Sequence, residues 1–377
     1  HLNILYISHL HPPADAPLKN MGGMQRVSMQ LVETLSNNTE VTINTIKLEA
    51  SWGNIGLKTT LFLVDNVVKL PDLAEKYKAD VILFSSMVTA SLAPFIRKRL
   101  RIPMVTINHG HDVTLSVGIY QKYLKKVFQS LDGVISVSHA TREASIKRGL
   151  DPAKGIALPN GFNPDEFGSM ECDKHIAREA LKDQLGLQLN GEKILLTTGR
   201  LVRRKGHTWF IDQVMPKIKS DVCYIILGDG PEMKSIIESA ETSKVKDKIK
   251  LLGRQSDQLL KMAYCAADLF IMPNIKVPGD MEGFGIVMLE ANLMRTPVIA
   301  SDLEGIKDVI ESGVNGYKIT TGDSNEFAKT IDRVLENELA ELSEKCRSYV
   351  FDKFTWENVS KRYIHFLSEV IQKYKNS

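Results

Sequence analysis

Short apolar runs alternate with amphipathic stretches along almost the whole chain, and this rhythm restricts the fold more than any other feature. It predicts strand–helix–strand units, in which parallel strands form a sheet that helices cover. Five such runs precede residue 165 and six follow it, at 3–8, 41–46, 81–84, 103–107, 134–137, 194–197, 222–227, 249–252, 269–272, 297–300 and 317–319.

A chain of 377 residues is too long for one ordinary core. The rhythm breaks at a Pro- and Asn-rich passage, 158–164, and then restarts. We therefore predict an α/β protein with two doubly wound, Rossmann-like domains, 1–165 and 166–355. The last segment, 356–377, is predicted to be a helix that packs back on the first domain.

Composition indicates a globular protein, with 43% hydrophobic and 25% charged residues. No apolar run approaches the roughly 20 residues of a membrane span, and no signal peptide opens the sequence. The four cysteines have no metal-site spacing. Cys223 and Cys265 lie in apolar contexts, which favours core thiols in a reducing compartment and predicts a cytoplasmic protein.

The positive charge is concentrated in the first half. Residues 1–165 carry 18 Lys+Arg against 13 Asp+Glu, and much of the surplus lies in 97–148. This basic segment is either a solvated helix face or a surface for anionic lipid or an anionic acceptor. Nucleic acid is disfavoured, because no binding motif accompanies the charge. The lysines 122, 125 and 126 alternate with three aromatic candidates for membrane anchors, Tyr120, Tyr123 and Phe128.

The stretch 282–290, Glu-Gly-Phe-Gly-Ile-Val-Met-Leu-Glu, follows an apolar run and reads as a loop that opens into a helix. Glycines there leave backbone N–H groups uncovered at a helix N-terminus, where an anion or a sugar hydroxyl is favoured. Glu282 precedes the helix and Glu290 lies about two turns inside it. The two carboxylates can therefore contact two parts of one long ligand, or serve only as a helix-end charge and a solvated side chain.

Other polar clusters also follow predicted strands, where doubly wound sheets bind their ligands. His109 and Asp112 follow one run, and the basic residues Arg200 and Lys205 follow another and suit a phosphate or pyrophosphate. Gly22 and Gly23 come late after the first strand. This spacing disfavours a dinucleotide-binding turn and favours a wider anion-binding loop. The 228–231 turn, Gly-Asp-Gly-Pro, is interpreted as turn chemistry alone.

Taken together in this order and spacing, these motifs resemble glycosyltransferase family 4, whose members are retaining, metal-independent enzymes. The resemblance covers nearly the whole chain and implies the GT-B fold, in which two Rossmann-like domains face each other across a cleft. Its motifs are 22–26 (Gly-Gly-Met-Gln-Arg), 109–112 (His-Gly-His-Asp), 159–162 (Pro-Asn-Gly-Phe), 199–206 (Gly-Arg-Leu-Val-Arg-Arg-Lys-Gly), 227–230 (Leu-Gly-Asp-Gly) and 282–290 with its two glutamates.

The resemblance implies a nucleotide-diphosphate sugar as donor, with a UDP-sugar favoured, and a hydroxyl acceptor on a sugar, a lipid-linked carrier or a small molecule. It implies no cofactor and no metal. Arg200 and Lys205 would neutralise the diphosphate, while the backbone of Gly22 and Gly23 would close over it. His109 would lie near the reacting sugar.

By the same resemblance, Glu282 would hold the transferred sugar and Glu290 would bind the ribose hydroxyls. The loop at Arg254 and Gln255 would border the base. The amides beside the first glutamate complete the expected donor site and belong to Gly283, Phe284, Gly285 and Ile286.

Two residues depart from the family's pattern, namely Arg295, which lies where small residues are usual, and Glu304, which stands where glycine is frequent. Neither removes a catalytic position. Two other functions stay open on the sequence: an epimerase of the same fold, which would act without an acceptor, and a non-catalytic sugar-nucleotide-binding subunit.

Overall fold

The computed structural model describes residues 1–11, 23–49, 55–167 and 172–377. This described chain divides into two compact units: residues 1–163 with 354–377, and residues 164–353. Each unit contains one six-stranded sheet in which every paired strand is parallel. The prediction of two doubly wound α/β sheets is therefore confirmed.

In the first unit the strand order is β2-β1-β3-β4-β5-β6. All residues of β3, β4 and β5 are buried, as expected for a sheet covered by helices on both faces. The short edge strand β6 was not predicted, because three half-buried residues carry little apolar signal. The strands are β1 (Leu2–His11), β2 (Val41–Glu49), β3 (Val81–Phe84), β4 (Met104–Asn108), β5 (Gly133–Ser136) and β6 (Gly155–Ala157).

The helices of the first unit cover this sheet, and the longest before the domain boundary has 22 residues. They are α1 (Gly23–Ser36), α2 (Ile55–Lys76), α3 (Met87–Ala90), α4 (Ala93–Ile96), α5 (His111–Thr114), α6 (Gly118–Ser130) and α7 (His139–Ile146).

In the second unit the strand order is β12-β11-β10-β7-β8-β9. The strands are β7 (Lys193–Thr198), β8 (Val222–Leu227), β9 (Ile249–Leu251), β10 (Leu269–Met272), β11 (Val298–Ser301) and β12 (Gly316–Ile319). The helices are α8 (Lys174–Leu185), α9 (His207–Trp209), α10 (Met233–Thr242), α11 (Asp257–Ala266), α12 (Ile286–Leu293), α13 (Ile306–Val309), α14 (Ser324–Arg333) and α15 (Leu339–Phe354).

The C-terminal helix α16 (Trp356–Lys375) belongs to the first unit. The Trp356 indole N–H donates to Gln30 Oε1 on α1 at 2.7 Å. A Cβ at Gly161 would lie 2.5 Å from the Trp356 ring, so only glycine fits beneath the indole. The Pro-Asn-Gly-Phe motif at 159–162 thus packs against the first residue of this helix.

The structure contradicts the assignment of Cys265 as a core thiol. Cys172 and Cys265 form a disulfide, while Cys223 and Cys346 are free and buried. The two bonded residues are 93 positions apart, so their proximity depends on how α11 packs and is not visible in the sequence. The disulfide also removes the argument for a reducing compartment. Among the helices in the described ranges, none is long and apolar enough to cross a membrane.

Candidate active site

A buried carboxylate, Glu282, lies in the loop between β10 and α12, and only 6% of the residue is exposed. Gly285, immediately before α12, has φ of 88°. This left-handed backbone favours glycine where the chain turns into the helix, and a Cβ there would also press on the methyl ends of Met288 and Met272, at 2.7 and 2.9 Å. The predicted order of strand, loop and helix is therefore observed.

Glu282 is held by two cations from the segment after β7 and by an amide from its own loop. Lys205 Nζ donates to Glu282 Oε2 at 2.6 Å, and Asn274 Nδ2 donates to the same oxygen at 3.1 Å. Arg204 Nε lies 3.5 Å from it. Both side chains of the Lys205–Glu282 pair are nearly excluded from water. The geometry satisfies the requirement that a buried charge be paired and hydrogen-bonded.

These contacts determine the protonation state of Glu282. Burial alone would raise its pKa, but attraction by Lys205 and Arg204, with hydrogen bonds from Lys205 and Asn274, outweighs burial and lowers the pKa below its ordinary value. Glu282 is therefore ionised at neutral pH. It is a weak base but a good acceptor of hydrogen bonds from hydroxyl groups.

Lys205 reaches Glu282 because the loop after β7 lies directly against the loop after β10. The Ile275 N–H donates to the Arg204 carbonyl at 2.9 Å. Gly206 has φ of 69°, and a Cβ there would lie 2.0 Å from the Pro273 carbonyl oxygen. Any side chain at this position would separate the two loops and with them the ion pair.

Arg200 also follows β7, but its side chain is exposed. Within the described ranges, no carboxylate or carbonyl accepts a hydrogen bond from its guanidinium. The neighbouring loop after β8 packs closely on this segment, since a Cβ at Gly228 would lie 1.9 Å from the Gly199 carbonyl oxygen. The 228–231 glycines thus permit close approach of two loops, which corrects their interpretation as turn chemistry alone.

Glu290 lies inside α12 and is 9% exposed. The Tyr264 hydroxyl on α11 donates to Glu290 Oε2 at 2.7 Å and lies 2.6 Å from Thr198 Oγ1. Since the tyrosine proton is directed to the carboxylate, Thr198 donates to the tyrosine oxygen. This chain of hydrogen bonds fixes Glu290 relative to the end of β7.

Arg254 and Gln255 follow β9. Arg254 is exposed, and the Gln255 side-chain amide donates to the Leu252 carbonyl at 2.7 Å. In the sheet, β10, β7, β8 and β9 are successive neighbours. Since their carboxyl ends meet at one edge, the loops that carry Glu282, Lys205, Arg200 and Arg254 lie along that edge.

In the first unit, His109 follows β4. Its Nε2–H donates to the Ser85 carbonyl at 2.8 Å, and its backbone N–H donates to Asp112 Oδ1 at 2.8 Å. Asp112 Oδ2 accepts from the Met87 N–H at 3.0 Å. Asp112 therefore fixes the backbone, and among the described contacts Nδ1 is the ring nitrogen of His109 left for another group.

The predicted glycine loop is only partly described. Gly23 is the first residue of α1 and is exposed. Gly22 lies outside the described residues, so its predicted role stays a prediction.

Two family models match the chain, and they divide it at the same passage as the structure. The model of Glycosyltransferase Family 4 matches residues 21–166, and the model of glycosyl transferases group 1 matches residues 178–353. This protein belongs to the family 4 glycosyltransferases. The second model includes every strand-end loop of the second unit described above, and the first includes His109.

Several known proteins are similar to this glycosyltransferase. The N-acetyl-alpha-D-glucosaminyl L-malate synthase of Bacillus anthracis is 25% identical over 82% of this chain and 79% of its own. The GDP-mannose-dependent alpha-(1-6)-phosphatidylinositol monomannoside mannosyltransferase of Mycolicibacterium smegmatis is 25% identical over 82% of both chains. The crystal structure of Anabaena HepE with UDP superposes with a TM-score of 0.75 at 20% identity, covering 98% of this chain and 100% of that one. The chain therefore has the GT-B fold, with one Rossmann-like domain in each half.

Three residues that bind the two glutamates of this glycosyltransferase were not singled out from sequence: Arg204, Asn274 and Tyr264. Asn274 follows β10 by two residues, so the strand-end rule alone would have indicated it. Arg204 lay inside a basic run in which sequence could not tell which cation faces inward. Tyr264 carried no signal, because its hydroxyl finds Glu290 only through the packing of α11 on α12.

Proposed function

We propose that this glycosyltransferase transfers a hexose from a nucleotide-diphosphate sugar to a hydroxyl group with retention at the anomeric carbon. The observation that carries the proposal is the buried Lys205–Glu282 pair at the N-terminus of α12, with exposed Arg200 on the same sheet edge. Cations at that edge suit a diphosphate, and the ionised carboxylate beside helix amides suits sugar hydroxyls.

In the proposed complex, the donor extends along the edge formed by β10, β7, β8 and β9. Arg200 and Lys205 neutralise the diphosphate, while Glu282 and the amides that follow it bind the sugar. Glu290, held by Tyr264, accepts hydrogen bonds from the ribose. The loops that carry Arg200, Lys205 and Glu282 follow neighbouring strands and lie at one edge of the sheet, so one extended ligand would meet them.

The chemical step is expected to need positioning and charge stabilisation more than a strong base. The bond from C1 to the donor phosphate oxygen breaks, the acceptor oxygen bonds to C1 on the same face, and the acceptor proton passes to a donor phosphate oxygen. Arg200 and Lys205 stabilise the negative charge that grows on the leaving diphosphate. The lowered pKa of Glu282 makes this carboxylate a weak competitor for the proton. Because two side-chain cations are available for this charge, we propose that no metal is required.

UDP is the proposed nucleotide, supported by the fold shared with HepE, whose structure holds UDP. A relative of similar identity is named for GDP-mannose, so the base needs a direct test. A thermal-shift screen of UDP-, GDP- and ADP-sugars measures which base the protein prefers, since a ligand that binds only the folded state raises the melting temperature. A larger shift with a GDP-sugar would refute the choice of UDP.

The proposed donor site assigns different contacts to the two glutamates, and this difference can be tested. We expect Glu290→Ala to bind free nucleoside diphosphate poorly, because the ribose contact is lost, and Glu282→Ala to bind it well but transfer sugar slowly. Calorimetric titration and steady-state kinetics measure these two effects. The reverse pattern would show that the roles are exchanged.

Transfer itself distinguishes this proposal from an epimerase or a binding subunit. Release of nucleoside diphosphate is expected only when an acceptor is present. Donor that changes its sugar configuration without acceptor would indicate an epimerase, and tight donor binding with no reaction would indicate a binding subunit.

The predicted basic surface of the first unit is smaller than the sequence indicated. Arg97 pairs with Asp132 at 2.7 Å, and Arg148 Nε donates to Gln121 at 2.8 Å, so these guanidiniums are engaged in the fold. Phe128 is 1% exposed and cannot be a membrane anchor. The anchors predicted at positions 120 and 123 are half-buried, with their hydroxyls bonded to backbone carbonyls.

A different apolar surface lies at the start of α6. Val117 is 50% exposed and Ile119 is 85% exposed, and Lys122 and Lys126 follow on the same helix. The Tyr120 hydroxyl donates to the Asp112 carbonyl, which ties this surface to the segment that carries His109. We propose that it receives a lipid-linked acceptor at a membrane surface.

Vesicle co-sedimentation tests this acceptor surface. We expect binding to anionic but not neutral vesicles, weakening as salt rises, because each exposed lysine contributes about 1 kcal/mol near anionic lipid. A double variant, Val117→Ser with Ile119→Ser, is expected to lose vesicle binding and to keep transfer to a soluble acceptor. Equal binding to both vesicle types, or none, would favour a small soluble acceptor such as the one in the name of the malate synthase relative.

A further inference from the structure

The segment after β11 holds the backbone of Glu282 at two points. The Gly305 N–H donates to the Glu282 carbonyl at 3.0 Å. The Glu282 N–H donates to Glu304 Oε2 at 2.5 Å. Glu304 therefore accepts from the N–H of Glu282, and Gly305 donates to its carbonyl. Lys205 and Asn274 bind the Glu282 side chain.

The two positions of this clamp cannot be exchanged. A Cβ at Gly305 would lie 2.1 Å from the Gly283 carbonyl oxygen, so this residue must be glycine for the loops to meet. The side chain that reaches the Glu282 N–H therefore comes from the residue before Gly305. Glu304 supplies a carboxylate there.

Glu304 adopts a backbone conformation that is unfavourable for its side chain. Its φ is 49°, and in the described ranges only Lys78 and Arg295 are other non-glycine residues with positive φ. Such a conformation costs free energy and persists where surrounding contacts impose it.

The electrostatic surroundings of Glu304 also disfavour its ionised form. Burial raises its pKa first, and the neighbouring carboxylates of Glu282 and Asp280 raise it further, against the hydrogen bond from the Glu282 N–H and the charge of Arg204. Neither backbone preference nor electrostatics favours a glutamate at this position. What the side chain provides is the hydrogen bond that holds the backbone N–H of Glu282 in place.

We propose that Glu304 is a positioning residue that fixes Glu282 and the amides after it for the transferred sugar. This inference rests on the proposed function, because it assumes that the Glu282 loop binds the sugar. In the proposed arrangement Glu304 acts on transfer through the backbone of Glu282 and not through a contact with the nucleotide. Its removal therefore lowers the rate of transfer more than nucleotide affinity.

Three variants separate the hydrogen bond from the backbone strain. Glu304→Ala and Glu304→Gly both remove the acceptor, but glycine relieves the positive φ, so the glycine variant melts at a higher temperature than the alanine variant. Both are expected to lose about tenfold or more in kcat, the scale of a lost hydrogen bond to a charged group. Glu304→Gln retains a side-chain oxygen acceptor and is expected to recover most of the rate.

Two further measurements show where the effect arises. Amide hydrogen exchange of a peptide that covers 281–285 is expected to rise in the alanine and glycine variants and to return towards the wild-type rate in Glu304→Gln. Affinity for free nucleoside diphosphate is expected to stay within about twofold in all three, since that ligand lacks the sugar.

The experiment compares kcat, exchange and nucleotide affinity across wild type and the three variants. An active wild type with alanine and glycine variants at wild-type kcat would overturn this inference and leave the proposed function standing. Rates that follow melting temperature rather than the presence of the acceptor would also overturn it. A wild-type protein that transfers no sugar from any nucleotide sugar would overturn the proposed function and this inference with it.

Discussion

Lys205→Ala is expected to lower both activity and stability, whereas Arg200→Ala is expected to lower activity alone. The difference follows from burial. Lys205 Nζ lies 2.6 Å from Glu282 Oε2 in a nearly water-free pair, so its removal leaves an uncompensated buried carboxylate. Arg200 is exposed, and no described residue accepts a hydrogen bond from its guanidinium.

Removing one partner of a buried pair costs roughly 3–5 kcal/mol. Arg204 Nε remains 3.5 Å from the carboxylate and Asn274 still donates to it, so we expect the lower end for Lys205→Ala, about 3 kcal/mol. For a unit of this size each kcal/mol shifts the melting temperature by about 2–4 °C, which gives a fall of about 6–12 °C. Arg200→Ala should stay within about 0.5 kcal/mol of wild type, as surface substitutions usually do.

The two variants should lose activity to a similar extent. Each removes a charge that we propose stabilises the leaving diphosphate, and such losses are typically about 10²-fold in kcat. Steady-state kinetics with the donor identified by thermal shift, together with thermal unfolding followed by circular dichroism, measures both effects.

A double variant, Lys205→Met with Glu282→Gln, isolates the charge pair. It removes both charges at once and is expected to melt well above Lys205→Ala while staying inactive. Equal melting temperatures for Lys205→Ala and Arg200→Ala would refute the reasoning about burial. Near-normal turnover in both single variants would refute the diphosphate assignment.

Three further predictions concern the second unit. His207 is buried, and burial followed by the charge of Lys205 lowers its pKa to about 4. Because the unfolded chain takes up the proton near pH 6.5, the stability that is present above that pH is lost as the pH falls toward 4, by at most about 3 kcal/mol. Urea unfolding of His207→Leu should show less of this loss. Tyr264→Phe removes the hydroxyl that donates to Glu290, the carboxylate proposed to bind the ribose. Titration with nucleoside diphosphate should then show affinity about 3- to 10-fold weaker, and unchanged affinity would exclude this role. Reduction of the Cys172–Cys265 disulfide should destabilise the unit by about 2–4 kcal/mol, measured as a melting shift with dithiothreitol that Cys172→Ser does not show.

The sequence by itself determined the α/β class and which side chains follow the carboxyl ends of the strands. Buried parallel strands need continuous apolar runs, and their carboxyl ends must be followed by loops, so residues such as Arg200 and Glu282 could be placed at those ends from the pattern alone. The helix after Gly285 was equally visible, because a glycine turn before an apolar segment is a local signal.

Only the tertiary structure decided which of these side chains meet. Lys205 and Glu282 are 77 positions apart, and their contact depends on Gly206 lying against the Pro273 carbonyl. The disulfide and the hold of Glu304 on the Glu282 peptide likewise join segments that local patterns treat as independent. Propensity and periodicity act over a few neighbouring residues, whereas pairing across loops depends on how separate helices and strands pack, and that packing is fixed only when the whole core forms.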